Sequence, residues 1–165
     1  MRIIEIKAFQ FEELDSQTKE KVIENNRTIN VDSDFWYQCE IDNFKNEMGI
    51  KINEFDIYRK TINITIEDSL SSAEKIVNFF GEKSSIVHSA KTLIRDIKFI
   101  NNKYEHDWYK LEEELEYLEE EFRREIAEEI LSMLTLDYEY QTSDDGIKET
   151  IIANEYEFQE DGEQI

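Results

Sequence analysis

The sequence predicts an α+β fold in which a small antiparallel sheet of three or four strands carries helices on one face, together with a long acidic helix. Apolar and polar residues alternate in short stretches near both ends and around residues 50–66, whereas apolar residues elsewhere recur at helical spacing. The chain holds four glycines and no proline, so few residues interrupt these patterns. Its 165 residues suit a single domain over 1–165, and 39% hydrophobic residues can fill a core.

The first third of the chain is predicted to hold one strand and two helices. MRIIEIKAFQF alternates apolar residues and predicts a strand from about residue 2 to 10. FEELDSQTKEKVIENN follows with helical spacing, and Asp15 or Ser16 can cap its start. VDSDFWYQCEIDNFKNEMG predicts a second helix that ends at Gly49. Cys39 lies among aromatic and apolar residues of this helix, so we expect a small buried side chain without a catalytic role.

The middle of the chain predicts a hairpin followed by two helices. IKINEF and KTINITIE both alternate with period two, and the turn between them falls near Tyr58 to Lys60. A helix over 69–80 should end at Gly81, and a longer one should run from Ser84 to about Tyr104. ANEYEFQED near the end predicts a last strand, which we expect to pair with the first.

KLEEELEYLEEEFRREIAEEIL, with the residues that follow it, predicts the long acidic helix. Its apolar residues recur every 3.67 positions on average, which favours a helix lying on a core over a left-handed coiled coil with its 3.5 repeat. These apolar residues are Leu111, Leu115, Leu118, Phe122, Ile126, Ile130 and Met133. At about 100° per residue, three glutamates lie opposite this stripe and three more line one flank. We expect these six to face solvent or a partner: Glu113, Glu116 and Glu120 opposite, and Glu114, Glu121 and Glu128 on the flank.

The net charge of −21 is concentrated in the last third of the chain. Residues 105–165 hold 22 acidic and 4 basic residues, which accounts for −18 of the total. Ten carboxylates between Glu112 and Glu129 spread over about 27 Å of helix, or one per about 2.7 Å, against one per about 1.7 Å in duplex DNA. Like charge disfavours nucleic acid and anionic membranes as ligands of this face, and it favours a basic protein.

The same charge admits a second interpretation, which is an ordinary solvated helix face. Such a face interleaves charges so that glutamates meet a base four residues on. Here only Glu119 with Arg123 and Glu120 with Arg124 have that spacing. Most of the acidic charge is therefore left without a neutralising partner. Two explanations of the acidic face remain open, a solvated helix surface and a mimic of nucleic acid.

Basic charge is concentrated in one stripe of the preceding helix, formed by Lys91, Arg95 and Lys98. Three bases without glycine-rich loops or stacking aromatics bind phosphate weakly, so we expect a solvated surface that pairs with the acidic helix. The sequence has no phosphate-binding loop, HExxH, paired CxxC or calcium-loop pattern. We therefore expect no enzyme activity, assign no catalytic residue, and expect no cofactor and no metal.

Two blocks of the chain resemble a known family. KAFQFEELDSQTKEKVIENNRTINVDSDFW and TSDDGIKETIIANEYEFQEDG contain patterns of the form F-x-E-L-x-x-x-x-K and E-x-I-x-A-N-E-Y-E-F-x-E-D-G. These patterns are similar to those of small, mostly uncharacterised proteins of phages and mobile elements, some of which are labelled antitoxins. The similarity covers roughly the first 48 and last 30 residues. It implies an accessory phage gene, and such genes often encode counter-defence inhibitors, but it implies no catalytic residue.

Three functions follow as hypotheses. The leading one is a non-enzymatic inhibitor whose acidic surface binds a basic groove of a nucleic-acid-handling defence protein, such as a CRISPR effector nuclease. The first alternative is an antitoxin that covers a basic toxin. The second is an enzyme acting on a small molecule or nucleotide, which requires a pocket of converging polar groups. Since the sequence shows no signal-peptide region and no apolar run of membrane-spanning length, we expect the cytoplasm of the bacterial host, and no membrane partner.

Overall fold

A computed structural model describes residues 7–165. They form a mixed helix and sheet fold, and the elements follow one another in this order: β1 (Phe9–Gln10), a 3₁₀ helix (Phe11–Glu13), α1 (Ser16–Asn25), α2 (Phe35–Met48), β2 (Ile50–Asp56), β3 (Thr61–Ile66), α3 (Ser69–Phe79), α4 (Ser85–Lys103), α5 (Trp108–Gln141), α6 (Asp144–Ala153) and β4 (Glu157–Phe158). The predicted first strand began at about residue 2, and the part of it before residue 7 lies outside the described residues.

The chain divides into two compact units. The first unit combines Met1–Trp36 with Leu136–Ile165, and the second unit is Tyr37–Thr135. A single domain over residues 1–165 stays a prediction, because this division reflects where contacts concentrate and not which parts fold alone.

The first unit is built around a pairing of chain segments that lie far apart in the sequence. β1 pairs antiparallel with β4, with Phe9 opposite Phe158, which confirms the predicted pairing of first and last strands. The buried side chains of this unit are Phe11, Leu14, Val22, Ile147, Ile151 and Phe158. The Asp15 carboxylate caps α1 by accepting hydrogen bonds from backbone N–H groups one turn on, at 2.9 and 3.0 Å.

A polar side chain holds the segment after α1 against α6 in the same unit. Asn30 donates to the backbone oxygen of Gln141 at 3.0 Å, and its own side-chain oxygen accepts from the Thr150 hydroxyl at 2.7 Å. Gly162 lies close to α1, since a Cβ atom there would sit 3.0 Å from the side chains of Thr18 and Val22. With its φ of +85°, this position suits glycine on both counts.

The second unit contains the predicted hairpin. β2 and β3 pair antiparallel from Ile50 opposite Ile66 to Asp56 opposite Thr61, and a bulge interrupts the register near Asn53. The turn falls within residues 57–60, as predicted.

The predicted single sheet of three or four strands is not what the described residues form. They make two separate two-stranded antiparallel sheets, β1 with β4 and β2 with β3. β1 and β4 contribute only two residues each to their ladder, and the side chains of the two sheets belong to separate apolar clusters, one in each unit.

The core of the second unit lies between the apolar face of the hairpin and helices α2 to α5. On α5, the buried residues are Phe122, Ile126, Ile130 and Leu134. The stripe predicted from the sequence begins three turns earlier, and there Leu111, Leu115 and Leu118 are only half-buried. Leu134, instead of the half-buried Met133, closes the buried stripe.

Cys39 is exposed, so the expected buried side chain is wrong. The buried residues of α2 are Phe44 and Met48. Cys39 precedes Phe44 by five positions, which corresponds to about 140° around the helix and turns the thiol away from the core.

Replacing Ile126 by alanine should destabilise the protein strongly, since this side chain is fully buried in the core of the second unit. We expect a loss of about 2–5 kcal/mol in the free energy of unfolding, measured by urea denaturation followed by circular dichroism. Leu136→Ala is the matched control on the same helix, where the side chain is 63% exposed, and it should change the value by no more than about 0.5 kcal/mol. Equal losses in both variants would contradict this assignment of the core.

Candidate functional site

In the first part of α5, the face opposite the half-buried Leu111, Leu115 and Leu118 carries both charge and aromatic rings. Its residues follow one another at steps of four, three, one and three, which keeps them on one side of a helix. We call this set the outer face: Tyr109, Glu113, Glu116, Tyr117 and Glu120. All five side chains are exposed, so the three glutamates predicted to lie opposite the apolar stripe do lie on the surface.

The three flank glutamates differ in their exposure to solvent. Glu128 is exposed, whereas Glu114 and Glu121 are half-buried. The hydroxyl of Tyr104 donates a hydrogen bond to the Glu114 carboxylate at 3.3 Å. Glu114 and Glu121 are therefore partly occupied by contacts within the protein, and Glu113, Glu116 and Glu128 present the freer charge.

The two arginines of α5 pair one residue away from the predicted positions. Arg123 bonds Glu120, and Arg124 bonds Glu121 at 3.3 Å, both at i,i+3 spacing instead of i,i+4. Both spacings bring side chains together on a helix, and the arginines here take the nearer glutamate. Within residues 7–165, Glu113, Glu116 and Glu119 form no salt bridge.

Exposed aromatic side chains lie among the acidic residues of α5, and another lies on α4. Tyr109 is 85% exposed and Tyr117 58%, and Trp108 and Phe99 are also open to solvent. Tyrosine and tryptophan are enriched at the energetic centres of protein–protein interfaces, because they bury much area at little entropic cost. The sequence interpretation weighed only the glutamates, although Tyr109, Glu113 and Tyr117 are spaced four residues apart and could have been assigned to the same face.

Neighbouring carboxylates affect the ionisation of the Tyr117 hydroxyl. A hydrogen bond to Glu121 raises the pKa of the Tyr117 hydroxyl, and the negative charge of Glu121 adds to the effect. The ring also lines a surface hollow of about 440 Å³ together with Tyr104, Lys110, Glu113 and Glu114.

A second depression runs between α5 and the hairpin. It is a groove of about 450 Å³ lined by residues 62–65 of β3 and by Glu120, Arg123, Arg124 and Ala127 of α5. A hollow of about 220 Å³, lined by Ile66, Ser69, Glu116, Glu119, Glu120 and Arg123, shares Glu120 and Arg123 with it. The two depressions together follow β3 toward its carboxyl end, and we call them the β3 groove.

The basic stripe on α4 does not form the expected salt bridges with the acidic helix. Lys91 lies 3.9 Å from Glu82, and Arg95 pairs with the adjacent Asp96 at 2.7 Å. Among the described salt bridges, none joins this stripe to α5. Lys91, Arg95 and Lys98 are exposed, so the stripe is a second charged surface of the second unit.

The residues that the structure describes contain neither a candidate metal cluster nor a candidate membrane span. Over residues 7–165, no three histidine, cysteine, aspartate or glutamate side chains are placed to hold a metal ion together. None of the helices described there has both the length and the apolar character needed to cross a membrane.

Comparison with known proteins gives no relative, since no protein-family model, no curated protein and no solved structure matches the chain.

Tyr117 should ionise above the ordinary tyrosine value of about 10, because its proton is held by Glu121. The titration of Tyr117 is obtained by subtracting the ultraviolet pH titration of Tyr117→Phe from that of the parent protein. In the Glu121→Gln background the same difference should give a lower pKa. Since the pKa is raised by folding, the associated stability is present below about pH 10 and is lost as the pH rises through the folded value. An unchanged pKa in the Gln background would contradict the contact.

Proposed function

We propose that this protein is a non-enzymatic inhibitor that binds a basic, nucleic-acid-contacting groove of another protein through the outer face of α5. One observation carries the proposal: three exposed glutamates and two exposed tyrosines share a single helix face, and half-buried leucines on the opposite side of the helix pack against the core. Glu113 and Glu116 lie on this face without a salt bridge among the described residues, so their charge is available to a partner.

Charge complementarity supplies the specificity of such a complex. The carboxylates of α5 approach the linear charge density of a nucleic acid, and a groove that evolved to hold phosphates presents arginine and lysine at a matching spacing. Opposite charges steer the two proteins together and raise the association rate, whereas like charge keeps nucleic acid away from the inhibitor. The inhibitor and the nucleic acid therefore compete for one groove.

Aromatic contact supplies affinity that charge alone does not give. Exposed ion pairs contribute little because water screens them, while buried tyrosine side chains commonly carry much of the energy of an interface. Tyr109 and Tyr117 flank Glu113 on the outer face and are open to a partner. Their burial on binding would exclude water around the glutamates and strengthen the ion pairs formed there.

The class of the partner follows from the resemblance of residues 7–36 and 142–162 to phage and mobile-element proteins. A phage inhibitor with an acidic face fits a bacterial defence nuclease, such as a CRISPR effector, in the host cytoplasm. An antitoxin would use the same face against a basic toxin. The two differ in what the partner does: a defence nuclease binds a guide or target nucleic acid, whereas a toxin acts on the cell that carries it.

Charge reversal on the outer face should abolish binding and leave the fold intact. We expect Glu113→Lys, Glu116→Lys and Glu120→Lys together to weaken binding of the partner by at least about a hundredfold, because several interface charges change sign. The free energy of unfolding should change little, since relief of like-charge repulsion, worth a few tenths of a kcal/mol per pair, offsets the loss of the exposed salt bridge between Glu120 and Arg123. The matched control reverses Glu20, Glu47 and Glu160, which are exposed and lie off α5, and it should bind like the parent.

The partner is first isolated from host lysate with the parent protein as bait and then purified for titrations. Binding should weaken steeply as sodium chloride is raised, and a duplex or guide oligonucleotide should displace the inhibitor from the partner. Equal binding by the parent and the triple-lysine variant at low and high salt would overturn the proposal. So would a complex that excess oligonucleotide leaves undisturbed.

A further inference from the structure

The free edge of β3 borders the β3 groove. Within the described residues the hairpin has two strands, so β3 pairs with β2 on one side only. The groove is lined by residues from both faces of β3, the inward Ile62 and Ile64 and the outward Asn63 and Thr65, and its other wall is α5. A depression that touches both faces of one strand and is walled by a helix lies along the edge of that strand, not above the sheet.

The sequence of β3 does not protect this edge. TINITI contains five β-branched residues out of six, with no charge, no glycine and no proline. Proteins usually block a free edge with lysine, proline or a bulge, because unpaired N–H and C=O groups recruit another strand. β2 does carry such features, since Lys51, Glu54 and Asp56 are charged and a bulge lies near Asn53. The two strands of one hairpin are thus protected unequally.

The helix wall of the groove favours a cationic occupant. Arg123 and Arg124 are each neutralised by a glutamate three positions earlier. Glu116 and Glu119 remain without a salt bridge at the end of the groove near Ile66, as far as the described residues extend. A strand laid beside β3 would place alternate side chains toward this wall, and lysine or arginine at those positions would meet unpaired carboxylates.

We propose that an extended basic segment of the partner protein adds to β3 as a third strand in this groove. Its backbone would form hydrogen bonds with the N–H and C=O groups of β3 that point away from β2, and its cationic side chains would face Glu116 and Glu119. The inference rests on the proposed function for the identity of the partner. A second copy of this chain is a poorer occupant, because it carries a net charge of −21 and would bring its own acidic wall to the same edge.

A blocked six-residue peptide of alternating lysine and valine, as long as β3, tests the edge directly. Amide hydrogen exchange of Thr61–Ile66 is followed by NMR on the full chain. Every second amide of β3 points away from β2, and those amides should exchange about tenfold more slowly at a free peptide concentration of about ten times its dissociation constant. The alternate amides, already bonded to β2, should change little.

Two controls separate strand addition from simple attraction between charges. The same peptide, N-methylated at alternate residues along its bonding edge, keeps its charge but cannot donate backbone hydrogen bonds, and it should bind at least about tenfold more weakly. Glu116→Gln with Glu119→Gln should weaken the parent peptide without altering the exchange of free β3. Equal binding of both peptides, or unchanged β3 exchange at saturation, would overturn the proposal.

Failure of this proposal is distinguishable from failure of the proposed function. Unchanged amide exchange in β3, together with loss of partner binding in the triple-lysine variant, would support the outer face as the binding site and would rule out the edge of β3. Slowed exchange of the outward amides without any peptide, together with a dimer in sedimentation velocity, would identify a second copy as the occupant and would also overturn the proposal.

Discussion

Burial of one stripe of α5 fixes the direction in which the rest of that helix points. Phe122, Ile126 and Ile130 are buried to 2% exposure or less, and they lie four residues apart. Fully burying one such side chain contributes about 1.5–3 kcal/mol, whereas like-charge repulsion costs a few tenths of a kcal/mol per glutamate pair. The apolar stripe therefore outweighs the repulsion, and the protein can hold many uncompensated carboxylates on the opposite side.

The parts of the structure that could be predicted from the sequence are those that depend on local patterns. The bounds of α2, α3, α4 and the hairpin depend on local periodicity and on residues such as Gly49, whose φ of +71° ends α2, so they were predicted closely. The helix α6 was not predicted. Strand partners depend on where distant segments meet. The pairing of β1 with β4 was predicted, but local alternation could not show that these strands and the hairpin would form separate sheets.

The candidate site could likewise be predicted only in part. A helical projection placed the outer glutamates correctly, because the buried stripe defines the opposite side. It could not show which glutamate each arginine would choose, since i,i+3 and i,i+4 neighbours are both within reach. The groove beside β3 was beyond prediction, because a free edge is defined by which strands do not lie beside it.

The resemblance and the acidic face concern different parts of the chain. The two sequence blocks that suggested the resemblance, residues 7–36 and 142–162, lie in the first unit, although the predicted similarity extends to about residue 48 and so into the second unit, which contains the outer face and the β3 groove. The physical argument for a basic partner therefore does not depend on the resemblance. The resemblance stays a prediction, and it concerns only the biological context in which such a partner would be met.

The pairing of β1 with β4 also constrains the order in which the chain can fold during synthesis. Phe9 cannot pair before Phe158 has been synthesised, so the first unit cannot close until residue 158 has left the ribosome. The second unit is one continuous segment rich in neighbouring contacts, such as those of β2 with β3 and α3 with α4, and such local contacts form early. We expect pulse-labelled refolding to protect amides of the hairpin before those of β4. The acidic helix would then be in place while the unit that encloses both ends of the described chain is still incomplete.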